Sequence, residues 1–283
     1  MRGIGLVLSV AAGGCGFTLT NSGNVGDDQI DALVDAAVGG DDARPPDAPS
    51  TQPIDAPPQP AERKWYAASD TMLYQIDVDA RTATPVGVIQ TSSPVQTFDV
   101  DGLAFDGTNL LGLSSGSTEL LVIDPATAAV TARRTISPAG SYGGLTVAPA
   151  GEAGPSAVVF AGSGSKLVKI DPATGAATTI GTFGYWGGTL QFFSDLAWVS
   201  GDGLYATLQG GYCNTRCFAR VNATTGSAVA FRSDLTGSLY GLSGYRGSLW
   251  TLHHDGPVLR VDRTNGAMTT AFDPGVAWTE AAQ

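Results

Sequence analysis

The stretch LVKIDPATGAATTIG, residues 167–181, decides the fold. Leu167, Lys169 and Asp171 alternate with Val168 and Ile170, the period-two pattern of a strand with one face buried. Asp171 then opens a turn by bonding the backbone ahead of it, and Pro172 presets φ at the next position. Gly175 accepts the left-handed conformation that closes the turn. The segment AATTI (176–180) returns as a β-branched strand. The unit is a hairpin.

Four further copies follow the same plan: LYQIDVDARTATPVG (73–87), LLVIDPATAAVTARR (120–134), FARVNATTGSAVAFR (218–232) and VLRVDRTNGAMTTAF (258–272). Asp77, Asp124 and Asp171 are 47 residues apart; Asn222 follows at 51 and Asp262 at 40. Two more short strands precede each internal hairpin, as in GLAFDGTNLLGLS (102–114) and DLAWVSGDGLYATL (195–208). Four strands in each such period define a propeller blade and leave no room for helices. The first copy begins at WYAAS (65–69), the counterpart of LLGLS, and so lacks its innermost strand. The C-terminal GVAWTEAAQ (275–283) matches GLAFDG and DLAWVS and supplies it. An all-β, five-bladed propeller over residues 63–283, closed by the C-terminal strand, is therefore expected.

The IDPATG repeat resembles those of secreted bacterial propellers, including the quinoprotein and YVTN types, across residues 64–283. The resemblance implies fold and not activity. Quinoprotein repeats usually place Trp soon after Thr-Gly, and none of the five hairpins does so. No quinone or other cofactor is expected.

The N-terminus carries an address. MRGIGLVLSVAAGGC has Arg2, a short apolar run from Ile4 to Ala12, then small residues before Cys15. A run this short is a signal peptide (1–15) and not a membrane span. Its end resembles the lipobox of bacterial lipoproteins, with Ala12 where the family usually has Leu; the resemblance implies lipidation of Cys15. Residues 16–62 are Asp-, Ala- and Pro-rich, with eight acids against Arg44 between Gly16 and Ala61. Such a segment cannot bury enough apolar surface to offset chain entropy, so a disordered, self-repelling tether is expected. It carries most of the net charge of −11. With no basic patch, nucleic acid is not an expected partner.

Function is expected on the face where strand four of one blade leads to strand one of the next. Its loops include TSSPVQTFDVD (91–101), SPAGSYGG (137–144), TFGYWGGTLQFFSD (182–195), QGGYCNTRC (209–217) and HHDG (253–256). Loops over a rigid scaffold are where binding residues concentrate. Tyr142, Phe183, Tyr185, Trp186, Phe192, Phe193, Tyr212 and His253 fall there, with Tyr142, Tyr185, Trp186 and Tyr212 as the ligand-binding candidates. Phe192 and Phe193 have a plainer reading, covering the neighbouring blade.

Asp101 and Asp195 stand at or next to the start of inner strands on that face. With His253 they are the catalytic candidates, although five-bladed glycosidases carry three carboxylates there and no third is evident. Both aspartates have the plainer role of bonding backbone at strand starts. DVDGLAFDG (99–107) begins like an acidic ion loop, but Leu103 and Leu110 stand where its further ligands belong, so no metal is expected. Cys213 and Cys217 are expected to form a local disulfide bracing the Tyr212 loop.

The expected protein is an exported, monomeric module, lipid-anchored in the cell envelope, that binds a protein, peptide or glycan. The alternative is an exported hydrolase or lyase with its site at the central mouth.

Overall fold

A computed structural model describes residues 64–282. The signal-type segment, Cys15 and the acidic tether lie outside the described residues. Five four-stranded antiparallel sheets form a five-bladed β-propeller. From the axis outward, blade one comprises Glu280–Ala282, Trp65–Ser69, Met72–Asp77 and Thr82–Val88. The inner strands of blades two to five are Val100–Phe105, Gly143–Ala148, Gln191–Val199 and Leu239–Ser243. A small hairpin, Gln90–Ser92 with Val95–Thr97, sits between blades one and two in the chain. The only helical turn among the described residues is Tyr245–Gly247.

The repeated motif does more than turn the chain. Asp171 Oδ1 accepts from the Ala173 amide at 2.9 Å, Oδ2 accepts from Thr174 Oγ1 at 2.7 Å, and its carbonyl accepts from the Gly175 amide at 2.8 Å. The Thr174 hydroxyl and the Ala173 amide hold the Asp171 carboxyl below its ordinary range, and like bonds from turn hydroxyls and amides lower Asp124 and Asp262. Gly175 has φ +78°, and a Cβ there would lie 2.3 Å from the Thr135 carbonyl oxygen, on the outer strand of blade two. The glycine is thus required twice, by the turn and by the neighbouring blade. The other turns press likewise on the outer strand before them: Ala128 and Thr127 meet Gly87, Gly226 meets Gly181, and Gly266 meets Arg232. In blade one the Arg81 guanidinium donates to the Ala271 carbonyl at 2.5 Å and completes the circuit. The repeat recurs because each blade needs the same clasp.

The apolar core is correspondingly divided into five layers, one between each pair of adjacent blades. Between blades two and three, Ala104, Leu111, Leu120 and Val122 face Leu145, Val147, Val159 and Val168. The second strands of blades two and four are buried on both sides, which explains their apolar runs LLGL and LYATL where strict alternation fails.

Ring closure is as expected, but its register differs. The closing strand is Glu280–Ala282, pairing Glu280 with Ala68, Ala281 with Ala67 and Ala282 with Tyr66. The match of GVAW to GLAF misplaced it. Trp278 instead leaves the sheet pattern to fill the layer between blades five and one, beside Trp65, Tyr245 and Trp250. It is fully buried; its indole N–H donates to the Gly256 carbonyl at 2.8 Å, and its ring meets Tyr74 edge-on. Burial of a large aromatic with its polar atom satisfied outweighs strand alternation here.

Two variants test this closure. Trp278→Ala is expected to cost about 3–5 kcal/mol, as for other buried aromatics. Deleting residues 279–283 leaves Trp65–Ser69 as an open edge and should lower Tm by about 10 °C, the shift that roughly 3 kcal/mol produces in a domain of this size. A truncated protein with unchanged Tm in a thermal scan would overturn the closing role.

Candidate functional site

At the axis, five equivalent positions lie on the inner strands. Leu103, Leu145, Leu196 and Leu242 are all buried, each against the blade before it, and the residues preceding them are Gly102, Gly144, Asp195 and Gly241. Glu280, opposite Ala68, takes that place in blade one. The ring is tight: a Cβ on Gly102 would lie 2.8 Å from the Gly144 carbonyl carbon, and one on Gly144 2.8 Å from the Asp195 Cα. Three positions therefore carry no side chain, and the two acids occupy the axis.

Their environments differ. Asp195 is fully buried, with Oδ1 accepting from the Leu196 amide and Oδ2 from the Leu242 amide, each at 2.7 Å. Burial pushes its carboxyl well above the ordinary range, while the amides of Leu242, Leu196 and Leu145 pull it back. One carboxyl thus ties the inner strands of blades three, four and five. Glu280 is 6% exposed, and its Oε2 has no hydrogen-bond partner. Burial raises its carboxyl far above the usual range, and the neighbouring Asp195, Asp101 and Asp99 raise it further. Two such groups cannot both ionise at low cost. The charge belongs on Asp195, whose two oxygens accept backbone amides, and the proton on Glu280, whose Oε2 has no partner.

Glu280 is the axial carboxyl that sequence reasoning missed. The signal was present, because TEAA could be aligned with DGLA, but GVAW offered the more familiar pattern. Asp101 is exposed and lines a separate cavity of about 640 Å³ with Tyr142. His253 lies elsewhere: its Nδ1 accepts from the Asp255 amide at 3.2 Å, and it bonds to neither Asp101 nor Asp195. The three catalytic candidates therefore form no hydrogen-bonded set. Among the described residues, no three His, Cys, Asp or Glu side chains are grouped to hold a metal.

The aromatic candidates separate by burial. Phe183 is core. Phe192 covers Gly143, Gly144 and Gly162 of blade three, where any Cβ would meet its ring within 2.9 Å. The Arg216 guanidinium lies 4.0 Å above the Phe193 ring. Tyr185, Trp186 and Tyr212 remain outside, 78%, 39% and 64% exposed. They are nonetheless held firmly. The Tyr212 amide donates to the Trp186 carbonyl at 2.7 Å, the Trp186 amide to the Gly188 carbonyl at 2.9 Å, and Tyr185 pairs with Thr189. Trp186 and Tyr212 meet edge to face, centroids 5.7 Å apart. Gly211 permits this approach, since a Cβ there would lie 2.0 Å from the Trp186 carbonyl oxygen. A buried disulfide joins Cys213 to Cys217 immediately beyond Tyr212.

The fold defines the chain as a five-bladed β-propeller protein. No family model matches it, and no curated protein matches its sequence. Solved structures resemble it in fold. A chain of a nidogen/laminin complex is 11% identical with TM-score 0.52, over 77% of this chain and 97% of that one. A gluconolactonase from Xanthomonas campestris is 14% identical with TM-score 0.46, over 77% and 79%. Streptogramin B lyase is 13% identical with TM-score 0.42, over 75% and 74%. The first likeness is one of fold alone, and no activity follows from any of the three.

The axial pair makes stability depend on pH. A carboxyl whose pKa is raised on folding contributes stability that is complete below its unfolded value, here 4.5 for Glu280, and is lost as pH rises toward the folded value. Each titrating proton is worth about 1.4 kcal/mol per pH unit across that window. Glu280→Gln keeps the shape without the proton and should flatten the decline by about one such increment. Urea unfolding at stepped pH decides this: an unchanged slope in the variant would place the proton elsewhere. The Cys213–Cys217 disulfide closes only a short loop in the unfolded state, so its reduction should change global stability by less than about 3 kcal/mol. Its expected effect is local, faster amide exchange at Tyr212, and unaltered exchange there would remove the brace from the account.

Proposed function

We propose that this protein is an exported, membrane-tethered binding module that holds an extracellular or periplasmic ligand on its loop-bearing face. The observation that carries the reading is the Tyr185, Trp186 and Tyr212 platform, which is exposed yet fixed by main-chain bonds. Large aromatics left in water and held rigid lose little entropy on binding and offer flat apolar area with a polar edge. The lipobox-like run ending at Cys15 and the acidic segment after it support tethering.

A second reading is an exported hydrolase or lyase at the central mouth. Glu280 favours it, as a third carboxyl beside Asp101 and Asp195. It stands second because Asp195 and Glu280 are closed to solvent and the Asp195 oxygens are engaged by backbone amides.

Trp186→Ala tests the binding reading. The variant should abolish ligand retention in pull-down or array experiments while costing only about 1 kcal/mol, the worth of an edge-to-face aromatic pair. Retention unchanged, together with a loss of roughly 3–5 kcal/mol, would show Trp186 to be a core residue.

A further inference from the structure

We propose that the cavity beside Asp101 and Tyr142 is a subsite for a neutral, polyhydroxylated ligand, the sugar ring of an oligosaccharide, an inference that rests on the binding role proposed above. The cavity, of about 640 Å³, lies between the turn joining the second and third strands of blade two and the loop leading into blade three. That volume falls in the range of small-ligand sites. Five of its nine lining residues end in a hydroxyl (Ser117, Thr118, Thr135, Ser141 and Tyr142), and no aliphatic side chain lines it. A peptide site would need apolar pockets or a row of free main-chain groups. This one presents side-chain hydroxyls and carboxylates.

Hydrogen-bonding capacity is left over in the right form. Among the described residues the Asp101 carboxylate makes no hydrogen bond or ion pair, and the hydroxyls of Thr118, Thr135 and Ser141 make none. Glu119 commits one oxygen, Oε2, to Arg133 at 2.5 Å and keeps the other. A carboxylate with two free oxygens suits two adjacent hydroxyl donors, and the wall hydroxyls can donate or accept as a ring oxygen or hydroxyl requires. The Tyr142 hydroxyl donates to the Pro138 carbonyl at 2.6 Å, which fixes its ring against the wall as an apolar plate for the C–H face of a sugar.

Charge excludes the alternatives on one side. No lysine or arginine lines the cavity. Asp99 is raised by burial and by the charges of Asp101 and Asp70, Glu280 senses Asp101 and Asp99, and the nearby Arg133 is committed to Glu119, so the Asp101 side of the cavity is negative. Phosphorylated, sulfated or uronic-acid ligands would be repelled. The subsite shares its face with the Trp186 platform, whose aromatic surfaces accept the same ligand chemistry.

The test uses the full chain on an array of neutral cello-, malto-, xylo- and manno-oligosaccharides, with oligogalacturonides and unmodified peptides as counter-probes. The neutral oligosaccharides should bind, Asp101→Asn should weaken binding at least tenfold at unchanged Tm, and Tyr142→Ala should weaken it likewise in protein that remains folded at the assay temperature. Asp101 is exposed, so its variant folds. Neutral-sugar binding that is lost in Trp186→Ala but indifferent to Asp101→Asn and Tyr142→Ala would overturn this subsite and leave the binding function standing. Capture of peptides alone, or of oligogalacturonides in preference, would overturn the ligand class. Failure to retain any probe would overturn both.

Discussion

No blade of this protein is stable by itself, because each sheet has two apolar faces and only one neighbour on each side can cover them. The five core layers all lie between blades, and none lies within one. Exposing even one layer would leave Trp65, Trp250 and Trp278, or an equivalent set, in water. The ring must close, and the sheet that opens the chain must be finished by the strand that ends it. The repeated turn serves the same constraint at the rim, since Gly175, Gly226 and Gly266, and Ala128 in blade two, are pressed against the outer strand before them. Inner closure by pairing and outer closure by turn docking are two answers to one burial problem.

The axis shows what closure costs. Five inner strands converging leave so little space that Gly102 and Gly144 admit no side chain without a clash. At two other positions the chain places acids, where apolar residues would have avoided desolvation. Asp195 recovers the loss by accepting amides from three blades, a service no apolar side chain could perform. Glu280 recovers none of it through Oε2 and stays neutral. The closing strand is thus held by pairing and by Trp278, while its own carboxyl makes it sensitive to pH.

On the loop face, exposure and order are separated. Tyr185, Trp186 and Tyr212 lie in water but stand on main-chain bonds, glycine contacts and a disulfide. Glycines flanking Tyr185-Trp186 signalled in the sequence that neither residue belongs to a strand. Nothing in the sequence said which aromatic residues of TFGYWGGTLQFF would turn inward. Phe192 does so because Gly143, Gly144 and Gly162, distant in sequence, leave a hollow only its ring fills. Tyr142 parts from the other three candidates for a similar reason, anchored to Pro138 beside Asp101.

Local chemistry determined the hairpins, the blade count and the need for a C-terminal closing strand, because turn residues and strand alternation act over a few neighbours and recur at a readable period. The face bearing the long loops followed from connectivity alone. What only the tertiary structure decided was register and company: that Glu280 and not the GVAW segment meets Trp65–Ser69, that Asp195 bonds three blades, and that Asp101 stands with Tyr142 and apart from His253. Those outcomes depend on how closely five strands approach one axis. That distance is set by all five blades together and is encoded in no single repeat.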